Sequence, residues 1–318
     1  MNETNRKKIV VLGGGTGLSV LLRGLKKLDL DLTAIVTVAD DGGSSGRLRN
    51  ELDMLPPGDI RNVLISLANT EPLLERLLQH RFKKGNGIAG HNLGNLLIAA
   101  MQEITGDFVL AIKELSRVLA VKGTILPATL QKVVLSAEFE DGSVIFGESN
   151  ISKAGKKIKQ VAIDPNDAKP LDEALTAINK ADAVITGPGS LYTSIIPNLL
   201  VKELKESVIS SKGKKIYVCN LMTQPGETDS YNAIDHINAI EKHAGERFIE
   251  YVIVHKETIS NEVIAQYRLK GASPVKIDHD LLQKKGYTVV SGEFLTYSTY
   301  LRHDSERLAE IVLSILED

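Results

Sequence analysis

Apolar positions come in short blocks along the chain, and each block predicts an element. Ile9-Val10-Val11-Leu12 is a continuous apolar run of the kind a buried strand shows, and Leu18, Leu21, Leu22, Leu25 and Leu28 fall on one face of a helix. Gly13-Gly14-Gly15-Thr16-Gly17 lies between them, so the chain opens as strand, glycine turn and helix, the first half of a βαβ unit. Residues 31–38 read as a second strand reached by a parallel crossover. Helices are predicted to about Leu67, with Asp59 placed to cap the first turn, over 71–82, and over 93–104. The last of these is apolar on all sides and is predicted to be buried against the sheet. Over 131–150 the period changes to two. Val133, Leu135, Ala137 and Phe139 alternate with polar positions, Glu140-Asp141-Gly142 turns, and Val144 and Phe146 alternate again, which is a β-hairpin inserted into the α/β rhythm. The basic run over 153–159 reads as a solvated loop. A helix over 172–180, strands over 181–186, 214–219, 250–254 and 288–291, and a helix over 305–316 capped by Asp304 or Ser305 complete a mostly parallel α/β fold.

The 318 residues suit one large α/β domain, and without an internal repeat or long linker a single domain over 1–318 is expected. The chain is 43% hydrophobic and 25% charged, with a net charge of -2, which argues against a nucleic-acid surface. Only 4% of residues are aromatic and there is no tryptophan, so base-stacking platforms are not expected either. The single cysteine, Cys219, excludes a disulfide framework and a thiolate metal cluster. No signal peptide and no membrane-length apolar run is visible, so no membrane span and a cytoplasmic location are expected.

The chemistry sits after the strands. The first glycine loop leaves backbone N–H groups bare at a helix N-terminus, where an anion is favoured, although Leu18 stands where the third glycine of a dinucleotide fingerprint belongs. Asp40 or Asp41 ends the second strand, where such folds place the acid that takes ribose hydroxyls, with Ser44 and Ser45 following. Asp59 and Asn62 follow Pro56-Pro57-Gly58, and Asn92 and Asn95 share one face of a helix start, turned toward a ligand; His91 beside them reads as a structural histidine. Gly187-Pro188-Gly189-Ser190, with Thr193, repeats the glycine corner, and Asn220 and Thr223 follow a further strand. Turns at the opposite edge lack this decoration, so these loops are expected to share one rim. Asp40, Asp41 and Asp59 can hold one magnesium ion together with ligand phosphates, and Arg302 at the start of the last helix suits phosphate. No P-loop, nucleophile elbow, zinc spacing or activated nucleophile occurs.

Taken in order, Gly13-Gly-Gly-Thr-Gly17, Val38-Ala-Asp-Asp-Gly-Gly-Ser-Ser-Gly-Arg-Leu48, Pro56-Pro-Gly-Asp-Ile-Arg-Asn62, Gly90-His-Asn-Leu-Gly-Asn95, Gly187-Pro-Gly-Ser-Leu-Tyr-Thr-Ser194 and Met222-Thr-Gln-Pro-Gly-Glu-Thr228 resemble the YvcK family, also called the gluconeogenesis factor or GlmR family, of the CofD-like superfamily. The resemblance implies a three-layer Rossmann-like fold and a cytoplasmic protein. It further implies binding of UDP-sugars, notably UDP-N-acetylglucosamine, a protein partner in amino-sugar or cell-wall synthesis, and support of cell shape during gluconeogenic growth. It places a UDP-sugar arginine at Arg302 and describes a regulator more than an enzyme. Two readings stay open beside it: a magnesium-dependent transferase using a nucleotide-diphosphate donor, like 2-phospho-L-lactate transferase, and an NAD-binding protein. The sequence leaves the oligomeric state open, a homo-oligomer included.

Overall fold

The computed structural model describes residues 6–69, 71–297 and 299–317. Strand β1 (Lys7–Gly13) takes the centre of the sheet because its apolar run is covered on both faces: Ile9 to Leu12 are at most 2% exposed. The other strands are β2 (Leu30–Val36), β3 (Thr124–Pro127), β4 (Val134–Phe139), β5 (Val144–Phe146), β6 (Ile158–Asp164), β7 (Ala183–Thr186), β8 (Lys214–Val218), β9 (Tyr251–His255), β10 (Thr288–Gly292), β11 (Leu295–Tyr297) and β12 (Leu301–His303). Seven form one sheet in the order β10-β9-β8-β7-β1-β2-β3, with every pairing parallel. The chain steps outward from β1 through β2 to β3, then restarts beside β1 at β7 and steps outward the other way. Strand order therefore reverses between β1 and β7, where an open parallel sheet leaves a crevice outside its carboxyl ends.

Two groups of helices flank the sheet. Helix α1 (Gly15–Leu25) packs with the helices Gly58–Leu67 and Ser305–Glu317, while Asp172–Asn179, Ile196–Leu200, Lys202–Ser210 and Ala233–Ala244 pack among themselves. Leu18, Leu21, Leu22 and Leu25 are fully buried, as their helical spacing requires. The last helix is capped by Asp304, whose Oδ1 accepts the N–H groups of Glu306 and Arg307.

Several elements differ from expectation. The hairpin of β4 and β5 forms as predicted, but β6 pairs with the other side of β4, giving a three-stranded antiparallel sheet. The basic run is thus not all loop: Lys159 lies in β6 and pairs across to Glu138 of β4, while Lys156 and Lys157, just before β6, pair with Asp141 and Glu140 just after β4. Edge strand β3 was not predicted, and the helix expected over 71–82 is only Pro72–Leu78. Helix Leu93–Thr105 is not buried all round, since Leu97 is 40% and Ile104 78% exposed. It packs on helices, chiefly Phe108–Val118, rather than on the sheet. Asp59 does not cap its own helix: the cap position is Pro57, with no side-chain bond. Among the described residues no single helix is long and apolar enough to cross a membrane.

Candidate functional site

The site grows from the end of β1. Gly14 is extended and, as the N-cap residue, brings no side chain of its own to α1, and Gly15 turns through φ +63, a conformation that favours glycine. First-turn amides have no acceptor within their own helix, so those of Thr16 and Gly17 remain for a ligand. The second glycine corner presses directly on this turn. A methyl group on Gly17 would lie 2.6 Å from the Pro188 carbonyl oxygen and 2.8 Å from Gly189 Cα, so the close approach requires glycine. Asn220 fixes that corner from the end of β8: its Oδ1 accepts the Gly189 N–H at 3.1 Å and its Nδ2 donates to the Gly189 carbonyl at 2.7 Å.

Together these corners floor a cleft of about 460 Å³. Met222, Thr223, Tyr267, Lys270 and Arg302 line its other walls. Tyr267 is fixed there because its hydroxyl accepts the Leu301 N–H at 3.0 Å. His303 is structural: it is buried, stacks on Phe294 and bonds the Cys219 carbonyl through Nε2 at 3.1 Å. Burial pushes its imidazole down to about 4, so it stays neutral.

A group of carboxyls lies behind the first glycine loop. Asp59 faces Gly14 and accepts a hydrogen bond from the Gly15 backbone. Burial, reinforced by Asp40, pushes Asp59 up to about 7, against the favourable Gly15 N–H and Arg61. Asp40 Oδ1 accepts the Gly42 N–H at 2.8 Å, and Asp41 Oδ1 accepts that of Ser149 at 2.8 Å. Glu148 is pushed up to about 10 by burial and then by the charges of Asp59 and Asp40. Among the described residues no three His, Cys, Asp or Glu side chains are placed to share a metal ion. The expected trio of Asp40, Asp41 and Asp59 therefore does not fit as a set, because Asp41 is turned to Ser149. Asp40 and Asp59 remain close enough for the charge of Asp40 to act on Asp59, and two carboxylates is the number magnesium takes at most beside phosphate oxygens.

The predicted residues do not all meet. Gly14, Gly15, Thr16, Gly17, Gly189, Ser190, Asn220, Thr223 and Arg302 all border the one cleft. Gly13 and Gly187 lie outside its lining, Gly13 in the last position of β1 and Gly187 at φ +79 just past β7. Asp40, Asp41, Ser44, Ser45, Asp59 and Asn95 stand behind the loop, outside that lining, and Asn62 and Asn92 border a neighbouring pocket. Asn92 and Asn95 are not turned to the cleft. Asn92 Oδ1 accepts the Asn95 N–H and its Nδ2 donates to the Gln79 carbonyl, while Asn95 bonds Ser45 Oγ and Arg61. Ser44 Oγ accepts the Asn92 N–H and bonds His91 Nδ1. These buried polar groups satisfy one another, as burial demands.

The second corner is not bare either. Glu227 is 3% exposed and accepts the hydroxyls of Ser152 and Thr193, the Gln224 amide and the Tyr192 N–H. A carboxylate of the protein thus fills that helix start, and Thr193 serves it. Sequence reasoning missed Glu227, although it belongs to the Met222–Thr228 motif, and it missed Tyr267 and Lys270. The latter two carry no local signal, for they end an ordinary amphipathic helix, Asn261–Arg268, and the turn after it.

The family model of 2-phospho-L-lactate transferase CofD matches residues 9–295. The chain belongs to the CofD family. Within that family it is similar to the gluconeogenesis factors: 54% identical over 309 residues to that of Halalkalibacterium halodurans (97% of this chain, 96% of the relative) and 52% over 314 residues to that of Bacillus subtilis (98% and 99%). The crystal structure of a UPF0052 family protein from Bacillus halodurans has a TM-score of 0.93 and 53% identity, covering 98% of this chain and 99% of that one. A second crystal structure of a Bacillus halodurans protein gives 0.94 and 54%, over 97% of this chain and 100% of that chain. The CofD-family chain and these neighbours share the α/β fold.

Proposed function

We propose that this CofD-family protein binds a nucleotide-diphosphate sugar, UDP-N-acetylglucosamine first among them, in the switch-point cleft and acts as a cytoplasmic regulator of cell-wall precursor supply and cell shape during gluconeogenic growth. The observation that carries the reading is the first turn of α1, Gly14 to Gly17, bordering the cleft in contact with the Pro188–Gly189 corner, with Arg302 across from it. In this reading the N–H groups of Thr16 and Gly17 receive the diphosphate, and the helix dipole favours its charge. The Arg302 guanidinium neutralises the remaining phosphate charge in a forked contact. Ser190 and Thr223 offer hydroxyls at the rim, and Tyr267 offers a ring to the nucleoside or sugar. The ligand's occupancy is then read by a protein partner in amino-sugar or cell-wall synthesis.

Isothermal titration with UDP-N-acetylglucosamine tests this. Saturable heat is expected, with Arg302→Ala weakening affinity at least tenfold, about 1.4 kcal/mol; no heat from wild type, or none lost in the variant, sinks the reading.

The Asp40–Asp59 pair favours a second reading, a transferase. Magnesium between these carboxylates and a diphosphate would neutralise charge on the leaving group. Product from a nucleotide-diphosphate donor, formed only with magnesium and lost in Asp40→Asn, is the expected result of that reading; binding without turnover across a donor panel rejects it.

A further inference from the structure

We infer that the pocket behind α1 is a second anion site, built for a phosphomonoester. It encloses about 390 Å³ and meets the cleft only along Thr16, Val20 and Arg302. Four arginines line it: Arg23, Arg61, Arg81 and Arg302. The only carboxylate among its lining residues is Glu75, and Glu75 is paired with Arg23. Three guanidinium charges are therefore left without a carboxylate in the lining.

Arg61 sits at the back and is held by neutral partners. Its Nη1 donates to Asn95 Oδ1 at 2.8 Å and its Nη2 to Asn62 Oδ1 at 2.7 Å, while its Nε is buried without an acceptor. Burial, and next Arg81, disfavours the Arg61 charge, while Asp59 and Asp40 favour it. A guanidinium gathered with others in a half-enclosed space is costly unless an anion meets it. The planar fork of arginine matches phosphate oxygens in pairs. A phosphomonoester, close to a dianion at neutral pH, answers this excess better than a single carboxylate. Arg81 is at the exposed mouth, its Nη1 donating to the Gly90 carbonyl at 2.6 Å, and is the residue best placed to close on such a ligand.

The site does not rest on the nucleotide reading, and the test keeps the two apart. Wild type, Arg81→Gln and Arg61→Lys are titrated calorimetrically with inorganic phosphate, with glucose 6-phosphate and, separately, with UDP-N-acetylglucosamine. One saturable site is expected for at least one phosphate probe, weakened at least tenfold in both variants. Arg81→Gln should keep its unliganded melting temperature and bind the nucleotide sugar within twofold of wild type. Similar affinities for the two probes assign the site to free phosphate, and a tenfold preference for glucose 6-phosphate assigns it to an organic phosphomonoester. Should Arg61→Lys fail to fold, Arg81→Gln decides. No binding of either probe, equal binding by wild type and Arg81→Gln, or parallel loss of nucleotide-sugar binding in Arg81→Gln overturns the inference. Failure of wild type to bind the nucleotide sugar removes the earlier reading and leaves this one standing.

Discussion

Gly17 separates two effects that usually travel together. In an exposed helix, glycine to alanine is stabilising by about 1 kcal/mol. Here the added methyl meets the Pro188 carbonyl oxygen and Gly189 Cα, both backbone, which cannot yield without moving the second corner. Gly17→Ala is therefore expected to destabilise by about 1–3 kcal/mol and to weaken nucleotide-sugar binding more than tenfold; a rise in melting temperature would refute the contact. Asp59 makes a second residue-level test through pH. Its folded carboxyl titrates near 7 instead of the ordinary 3.8, so the folded state holds a proton that the unfolded chain releases. The stability this contributes is complete below pH 4 and is lost as pH rises through 7, at ~1.4 kcal/mol per pH unit, to about 4 kcal/mol in all. Asp59→Asn should match wild type near pH 4 and exceed it at pH 8. Chemical denaturation at both values checks this, and identical pH slopes would show that the group titrates normally.

At the scale of elements, two strand–glycine–helix corners with the same sequence signature are met differently by the protein's own carboxyls. At α1 the Asp59 carboxyl takes only the Gly15 N–H, whereas the start of the segment Leu191–Leu200 is closed by Glu227. Nothing local distinguishes them, because the closing carboxylate comes from 34 residues beyond Thr193. The same kind of partner hid the roles of Asn92 and Asn95, whose amides meet Gln79, Ser45 and Arg61. Local pattern did reveal β1, α1, the hairpin and the final helix, since apolar period alone decides those. It did not reveal β3, a four-residue edge strand, or β6, whose Lys159 pairs across to Glu138. Glu227→Ala should cost about 3 kcal/mol, because it strands several buried donors at once. Glu227→Gln, which keeps an acceptor, should cost clearly less, as burial already raises this carboxyl. Urea midpoints for the pair decide the matter; equal losses would mean that shape, not hydrogen bonding, is what Glu227 supplies.

For the whole molecule, nine of the twenty residues predicted to share a rim border one cleft. Thr16, Ser190, Asn220 and Arg302 meet in one cleft because strand order reverses between β1 and β7. Asp40, expected among them, stands behind the loop with Asp59, which no count of loops could reveal. A saturating ligand should be visible globally: at a hundred times its dissociation constant it adds about 2.7 kcal/mol to unfolding, and an unshifted melting temperature in UDP-N-acetylglucosamine would exclude specific binding.

The reversal has a consequence for biosynthesis. β1 is made first, yet its neighbour β7 begins at Ala183, and the last wall of the cleft arrives only with Arg302. A chain emerging from the ribosome carries the Gly14–Gly17 turn long before the rest of the cleft can close over it. On the proposed nucleotide reading, truncated products that lack Arg302 should be unable to sequester the ligand.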